Sequence, residues 1–206
     1  MPDGVKVVAQ WLLDCSREFA ARTDELDELD KELGDGDHGT NMRRGFAAAE
    51  TLDLDQNTRA ADALRHVGMA LVQNVGGASG PLFGTFFLRA GAAWDPSLTT
   101  AGIARAVRAG VDGVIARGKA QAGDKTMVDA LLPAAESLEA SAAVGEDMAS
   151  ALARAADAAE AGRDATVDMV ARRGRAALKA DRSVGIIDPG AVSMALILRT
   201  AVRHIG

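Results

Sequence analysis

An all-α fold of eight helices running up and down in an antiparallel array follows from three features of the sequence. The first is composition: 48% of the 206 residues are apolar and 25% charged, Ala alone fills 43 positions, and aromatic residues make up 3% with no Tyr. Such a chain favours helices packed closely on small residues and lacks the aromatic and β-branched residues that strands prefer. The second is the recurrence of apolar residues at three- and four-residue steps along nearly the whole chain. The third is that no Asn-Gly or Asp-Gly turn lies between alternating apolar runs; Asp35-Gly36 follows a run of charges.

The first helix is expected over 4–22, where Val5, Val8, Leu12, Cys15 and Phe19 share a face, and the second over 38–51. The third, 58–75, carries Leu64, Val67, Leu71 and Val75 behind Asn57 as a cap, and the fourth spans 79–93. Ile103, Val107, Val111 and Val114 mark the fifth, 99–118, which Thr99 or Thr100 would cap. Met127, Leu131, Ala134 and Leu138 mark the sixth, 126–142, and Met148, Leu152, Ala155 and Ala159 the seventh, 146–177. The seventh is long enough that Gly162 is expected to kink or split it. The eighth, 189–205, has Pro189 in its first turn and Met194, Ile197, Leu198, Ala201 and Ile205 inward. These periodic residues read as core, Cys15 among them as a small hydrophobe.

The length suits one domain over 1–206, and no repeat, low-complexity tract or linker divides it. A net charge of −6 and a pI near 5.1 argue against nucleic acid or an anionic membrane surface as partner. A single cysteine excludes an internal disulfide and a multi-cysteine zinc site. The sequence from Met1 to Lys6 has no signal-peptide pattern and no apolar run is long enough to span a membrane, so the expected location is the cytoplasm.

The glycines concentrate at 34–39, 76–80, 118–123 and 185–190. In an eight-helix antiparallel array these are the connections 1–2, 3–4, 5–6 and 7–8, and alternate connections lie at one end. Four Gly-rich loops, each leading into a helix N-terminus, would then share a rim suited to phosphate; a split at Gly162 would remove the last of them.

Two familiar patterns are coincidental. Gly34-x-Gly36-x-x-Gly39 matches a dinucleotide fingerprint, but the charged stretch from Asp24 to Leu33 cannot be the buried strand that motif requires. Gly113-x-x-x-x-Gly118-Lys119 is followed by Ala120 where a phosphate-binding loop needs Ser or Thr. Asp24, Glu25, Asp27 and Glu28 fit a solvated acidic loop. Asp30, Asp35 and Asp37 carry more information, because glycines on both sides of Asp35 shape a tight turn that forces carboxylates together. Two of them about 4 Å apart repel by roughly 1 kcal/mol in water and about 4 kcal/mol at an effective dielectric near 20. A divalent cation removes that conflict. An EF-hand does not fit, since counting from Asp35 puts Thr40 at the glycine position and Phe46 at the bidentate glutamate position. Few, all-oxygen ligands favour magnesium shared with substrate phosphates, to which His38, Gly39, Thr40 and Asn41 would offer donors.

Leu29-Asp30 followed by Gly34-Asp35-Gly36-Asp37-His38-Gly39-Thr40-Asn41-Met42 resembles the signature of the nucleotide-binding L subunits of bacterial dihydroxyacetone kinases. Three further blocks match in order: Gly76 to Thr85, Gly123-Asp124-Lys125-Thr126-Met127, and Asp188-Pro189-Gly190-Ala191. The resemblance runs from about residue 5 to the end, with Phe83 where many relatives have Tyr. It implies an eight-helix antiparallel barrel holding ADP or ATP and two magnesium ions at one end. Asp30, Asp35 and Asp37 match metal ligands. His38, Gly39, Thr40, Asn41, Ala78 and Ser79 match positions around the phosphates, and Gly118 and Met127 the adenine pocket. Arg175, Asp188, Pro189 and Gly190 complete the nucleotide site.

The resemblance further implies a phosphotransferase that is active only with a separate ketose-binding K subunit, to whose ketose a γ-phosphoryl passes. The donor could be free ATP or a phosphohistidine protein of a sugar phosphotransferase system that recharges bound ADP. The alternative is an ADP-dependent regulatory module signalling to a transcription factor; a purely structural bundle leaves the Gly-rich loops unexplained. No nucleophile elbow is present, and His66 and His204 read as packing or surface residues.

Overall fold

A computed structural model describes residues 4–51 and 59–205. Among them are nine α-helices and no strand: α1 Val5–Ala21, α2 Thr23–Leu33, α3 His38–Phe46, α4 Ala60–Asn74, α5 Ser79–Ala92, α6 Thr100–Gly118, α7 Val128–Ala143, α8 Met148–Ala165 and α9 Pro189–Val202. Short 3-10 segments follow α3 (Ala47–Thr51) and α8 (Thr166–Asp168), and a third spans Arg175–Arg182.

The ninth helix does not break the antiparallel order. Only Arg22 separates α1 from α2, and backbone bonds from Arg22 to Glu18 and from Leu26 to Arg22 carry the ladder across the bend. The two form one bent leg, so there are eight legs and the four glycine-rich connections stay at one end. The stretch with Asp24, Glu25, Asp27 and Glu28, expected as an acidic loop, is part of helix α2 because Leu26 and Leu33 supply an inward face and are buried. Its charges occupy the remaining surface. Each leg packs on the next, and α9 returns to α1 to close the ring. Trp11 ties that seam by donating its indole N–H to Ile197 O at 3.0 Å.

Inside the ring, Phe19, Phe46 and Phe87 are fully buried and Trp11 and Phe86 pack around them. Cys15 is buried in the same core. Thr99 accepts from Gly102 N as the cap of α6, and Pro189 opens α9; the expected cap at Asn57 lies outside the described residues.

Gly162 neither kinks nor splits its helix. A Cβ there would lie 2.1 Å from Asp129 O. That carbonyl has no i+4 partner because residue 133, inside α7, is proline. The freed carbonyl lies against α8, and only glycine admits the approach. The helix ends instead at Ala165, so the expected span to 177 is corrected. Residues 166–188 form a long irregular connection, folded on itself by Ser183, which accepts from Ala171 N at 2.9 Å and donates to Ala180 O, and by the 2.7 Å bond from Gly185 N to Val167 O.

Candidate functional site

The four glycine-rich connections meet around one cavity of about 430 Å³. At its acidic edge α2 runs into the 34–37 turn, where Gly36 takes φ +79°, a left-handed conformation that glycine adopts without strain. The turn folds back on α2, so that Gly36 N and Asp37 N donate to Asp30 Oδ2 at 2.9 and 3.2 Å. Carboxylate oxygens of Asp30, Asp35 and Asp37 all come within 4.8 Å of one another. Arg175 forms an ion pair with Asp35. Burial raises the Asp35 carboxyl, and the Arg175 hydrogen bond and charge more than reverse this, leaving it below the usual aspartate value.

His38 opens α3 and is 5% exposed. Its Nε2 lies 2.8 Å from Ser193 Oγ and its Nδ1 3.5 Å from Ser79 Oγ, with the ring against Phe83. Burial pushes the imidazole below its ordinary value despite the pull of Asp30, Asp27 and Asp37. It is therefore neutral at pH 7, with one ring nitrogen donating and the other accepting.

The remaining walls are the start of α5, with Ala78 and Ser79, the end of α6 at Gly118, the start of α7 at Met127, and the start of α9, with Asp188, Pro189 and Gly190. Asp188 caps α9 by accepting from Ala191 N at 2.7 Å. Burial pushes its carboxyl up to about 7. Asn41 also faces the cavity, and its side-chain oxygen accepts from Arg44.

Two residues named from sequence do not line the cavity. Thr40 gives its N–H and its hydroxyl to the Asp27 carboxylate at 3.0 and 2.7 Å. Gly39 is buried against α2, where a Cβ would lie 2.1 Å from Thr23 O. Both seat α3 on α2 and so aim His38 and Asn41.

Sequence reasoning missed the residues that shape the loop between α6 and α7. Lys125 is 1% exposed, has φ +60°, and donates from Nζ to Thr166 O at 2.5 Å and Ile186 O at 2.6 Å. It ties this loop to the end of α8 and the approach to α9. Asp129 accepts from Gly123 N and Thr126 N at 2.6 and 2.7 Å. Asp124 accepts from Gln121 N and from Arg173 Nε, joining the loop to the 166–188 connection. All three sit in or near the matched block at 123–127, but the distant partners of Lys125 and Asp124, about 40 to 60 residues away, cannot be read from local spacing.

The DAK2 domain family matches residues 32–203, from the end of α2 to the end of α9. The chain belongs to the DAK2 family. This DAK2 chain is 43% identical over 195 residues to the ADP-binding subunit DhaL of the PEP-dependent dihydroxyacetone kinase of Escherichia coli, covering 93% of each. It is 38% identical over 205 residues to the corresponding subunit of dihydroxyacetone kinase 1 of Listeria innocua, covering 94% of this chain and 95% of that one. Among solved structures it is similar to the dihydroxyacetone kinase of C. freundii in complex with AMP-PNP and Mg2+, at 25% identity and a TM-score of 0.73. That match covers 98% of this chain and 34% of the larger one, so the chain spans about a third of that kinase.

Proposed function

We propose that this chain is the nucleotide-binding phosphotransferase subunit of a dihydroxyacetone kinase, one domain that works in the cytoplasm and transfers a γ-phosphoryl to a short ketose held on a separate subunit. The observation that carries this is the convergence of three carboxylates, the N-termini of α3, α5 and α9, and Arg175 on one cavity. The all-oxygen, anionic donor set suits magnesium. Asp30, Asp35 and Asp37 would hold it, as two ions together with the nucleotide phosphates, and bound magnesium would neutralise charge on the transferring group.

The chain's own groups do the rest. The N–H groups left over at the helix starts, those of Thr40 and Ala191 being taken by Asp27 and Asp188, would face the phosphates. Neutral His38 and Ser79 offer hydrogen bonds beside them, and Arg175 adds a cation at the acidic turn itself. Gly118, Met127 and the start of α9 form the less polar part, suited to the adenine. In the transfer the ketose hydroxyl would attack the γ-phosphorus and release its proton to solvent as the β–γ bridging P–O bond breaks, leaving ADP in place.

A partner subunit is needed because the groups here that could capture a ketone are committed elsewhere, His38 between Ser193 and Ser79 and Lys125 to the Thr166 and Ile186 carbonyls. His66 is exposed on α4, and His204 pairs with Asp14 at 2.7 Å on the α1–α9 seam. A ketose-binding subunit docking on the open rim would supply the acceptor and exclude water. The names of the relatives, PEP-dependent kinases with an ADP-binding subunit, support a phosphohistidine phosphotransferase-system protein as the donor that recharges bound ADP.

The experiment is an assay of the isolated, tag-free protein with magnesium and dihydroxyacetone, run once with ATP and once with a phosphohistidine donor protein, and repeated after adding a ketose-binding subunit. Turnover is expected only with both subunits, and full turnover by this chain alone would overturn the proposal. ADP retained through dialysis is expected for the recharged form; ready exchange would point to ATP as substrate.

A further inference from the structure

Arg175 stands at the acidic turn although it belongs to the 166–188 connection, the longest irregular stretch among the described residues. Both feet of this connection are well fixed. Arg172 N donates to Asp124 O at 3.0 Å, Arg173 reaches the Asp124 carboxylate, and Ser183 folds the far side back. Between them the crossing Arg175–Arg182 buries no residue, and Leu178 on it is 88% exposed. Apolar packing therefore does not hold the crossing in place.

Lys179 interrupts the 3-10 run with φ −118° and ψ 28°. From that break its Nζ donates to Lys31 O, Glu32 O and Gly34 O, each at 3.2 Å. These are carbonyls at the C-terminal end of α2, where a helix has unpaired acceptors and the negative end of its dipole. α2 is also rich in carboxylates, with Asp24, Glu25, Asp27, Glu28, Asp30 and Glu32 against Lys31. An ammonium is well matched to this end, and it sits one turn of sequence from Arg175 and directly beside the acidic turn.

We propose that Lys179 is a positioning residue: by fastening the crossing to the carbonyl end of α2, it holds Arg175 over Asp35 at the phosphate end of the cavity. This rests on the nucleotide reading above. Lys179 touches neither substrate nor the carboxylate cluster, and it acts through Arg175.

Two measurements test it on the full chain: titration with ADP in magnesium, and trypsin cleavage of the nucleotide-free protein at Arg175 and Arg182. Lys179→Met should weaken ADP affinity about tenfold, the worth of one charge-assisted contact, while the melting temperature barely moves, because the crossing buries no residue and can detach without unfolding the barrel. Lys179→Arg, which can still donate to the carbonyls, should recover most of the affinity. In an Arg175→Met background, Lys179→Met should add less than about twofold, because residues acting through one another are not additive. Trypsin should cut Lys179→Met faster than wild type. Affinity within about twofold of wild type, full additivity with Arg175→Met, or no rescue by arginine would each overturn the proposal. Wild-type protein that fails to bind ADP would instead sink the nucleotide reading, and equal trypsin rates for wild type and Lys179→Met would still refute the fastening itself.

Discussion

Replacing Asp37 by Asn separates the metal-binding role of the acidic turn from its contribution to the fold. Asp37 precedes α3, yet its side chain makes no capping bond, so the substitution removes charge without removing a helix cap. Its carboxylate comes within 4.8 Å of those of Asp30 and Asp35. At that separation each pair of unit charges repels by about 0.9 kcal/mol in water and about 3.5 kcal/mol at an effective dielectric of 20. Asp35 and Asp37 are exposed, so the water value applies, and Arg175 on Asp35 cancels part of it. The nucleotide-free variant should therefore match wild type or gain up to about 1 kcal/mol, at most about 4 °C in melting temperature for a chain of this size. With magnesium and ADP at a hundredfold excess over Kd, wild type should gain about 2.7 kcal/mol, roughly 5–11 °C. Asp37→Asn should lose most of that gain. Thermal melts of both proteins, with and without magnesium-ADP, measure all four states. An unchanged ligand increment in the variant would refute the metal assignment. A nucleotide-free melt lowered by several degrees would refute the claim that the carboxylates repel one another in the fold.

Three further outcomes are expected. The Asp188 carboxyl, raised from 3.8 to about 7 by burial, favours folding below about pH 4 and loses that contribution as pH rises through 7, because the unfolded chain releases the proton first. Asp188→Asn, which keeps a capping oxygen, should flatten the fall in melting temperature between pH 4 and 7 relative to wild type; parallel curves would contradict this. Gly162→Ala drives a methyl group into Asp129 O and should destabilise by about 1–3 kcal/mol by denaturant titration, whereas a neutral result would mean that α7 and α8 do not approach so closely. Lys125→Met leaves the Thr166 and Ile186 carbonyls without their donor and should cost about 1–3 kcal/mol; unchanged stability would show that water replaces the ammonium there.

The helices were legible because their apolar residues repeat at helical spacing, and the loop parity that gathers four glycine-rich connections at one end followed from their order. What failed did so for local reasons. The charges from Asp24 to Glu32 outweighed Leu26, Leu29 and Leu33, so α2 was expected as a loop. Arg-Ala-Ala-Leu-Lys-Ala-Asp-Arg over 175–182 has helix-forming composition, but with no buried face it forms only 3-10 turns. Gly162 reads as a breaker along its own helix and makes sense only against Pro133 on the next. In the site, Thr40 looked free to serve phosphates because nothing local shows that Asp27 engages it. Lys125, Asp129 and Lys179 work largely through backbone atoms, many of them distant in sequence, a kind of partnership that leaves little trace in residue type or spacing.

The central claim is that the aspartates act on nucleotide through a divalent ion, and calorimetric titration of ADP into the wild-type chain, first stripped of bound nucleotide, tests it most directly. In magnesium a single binding event is expected, and in excess EDTA the affinity should fall by at least about tenfold, the loss of one charge-assisted contact or more. Equal affinity in magnesium and in EDTA would contradict the account.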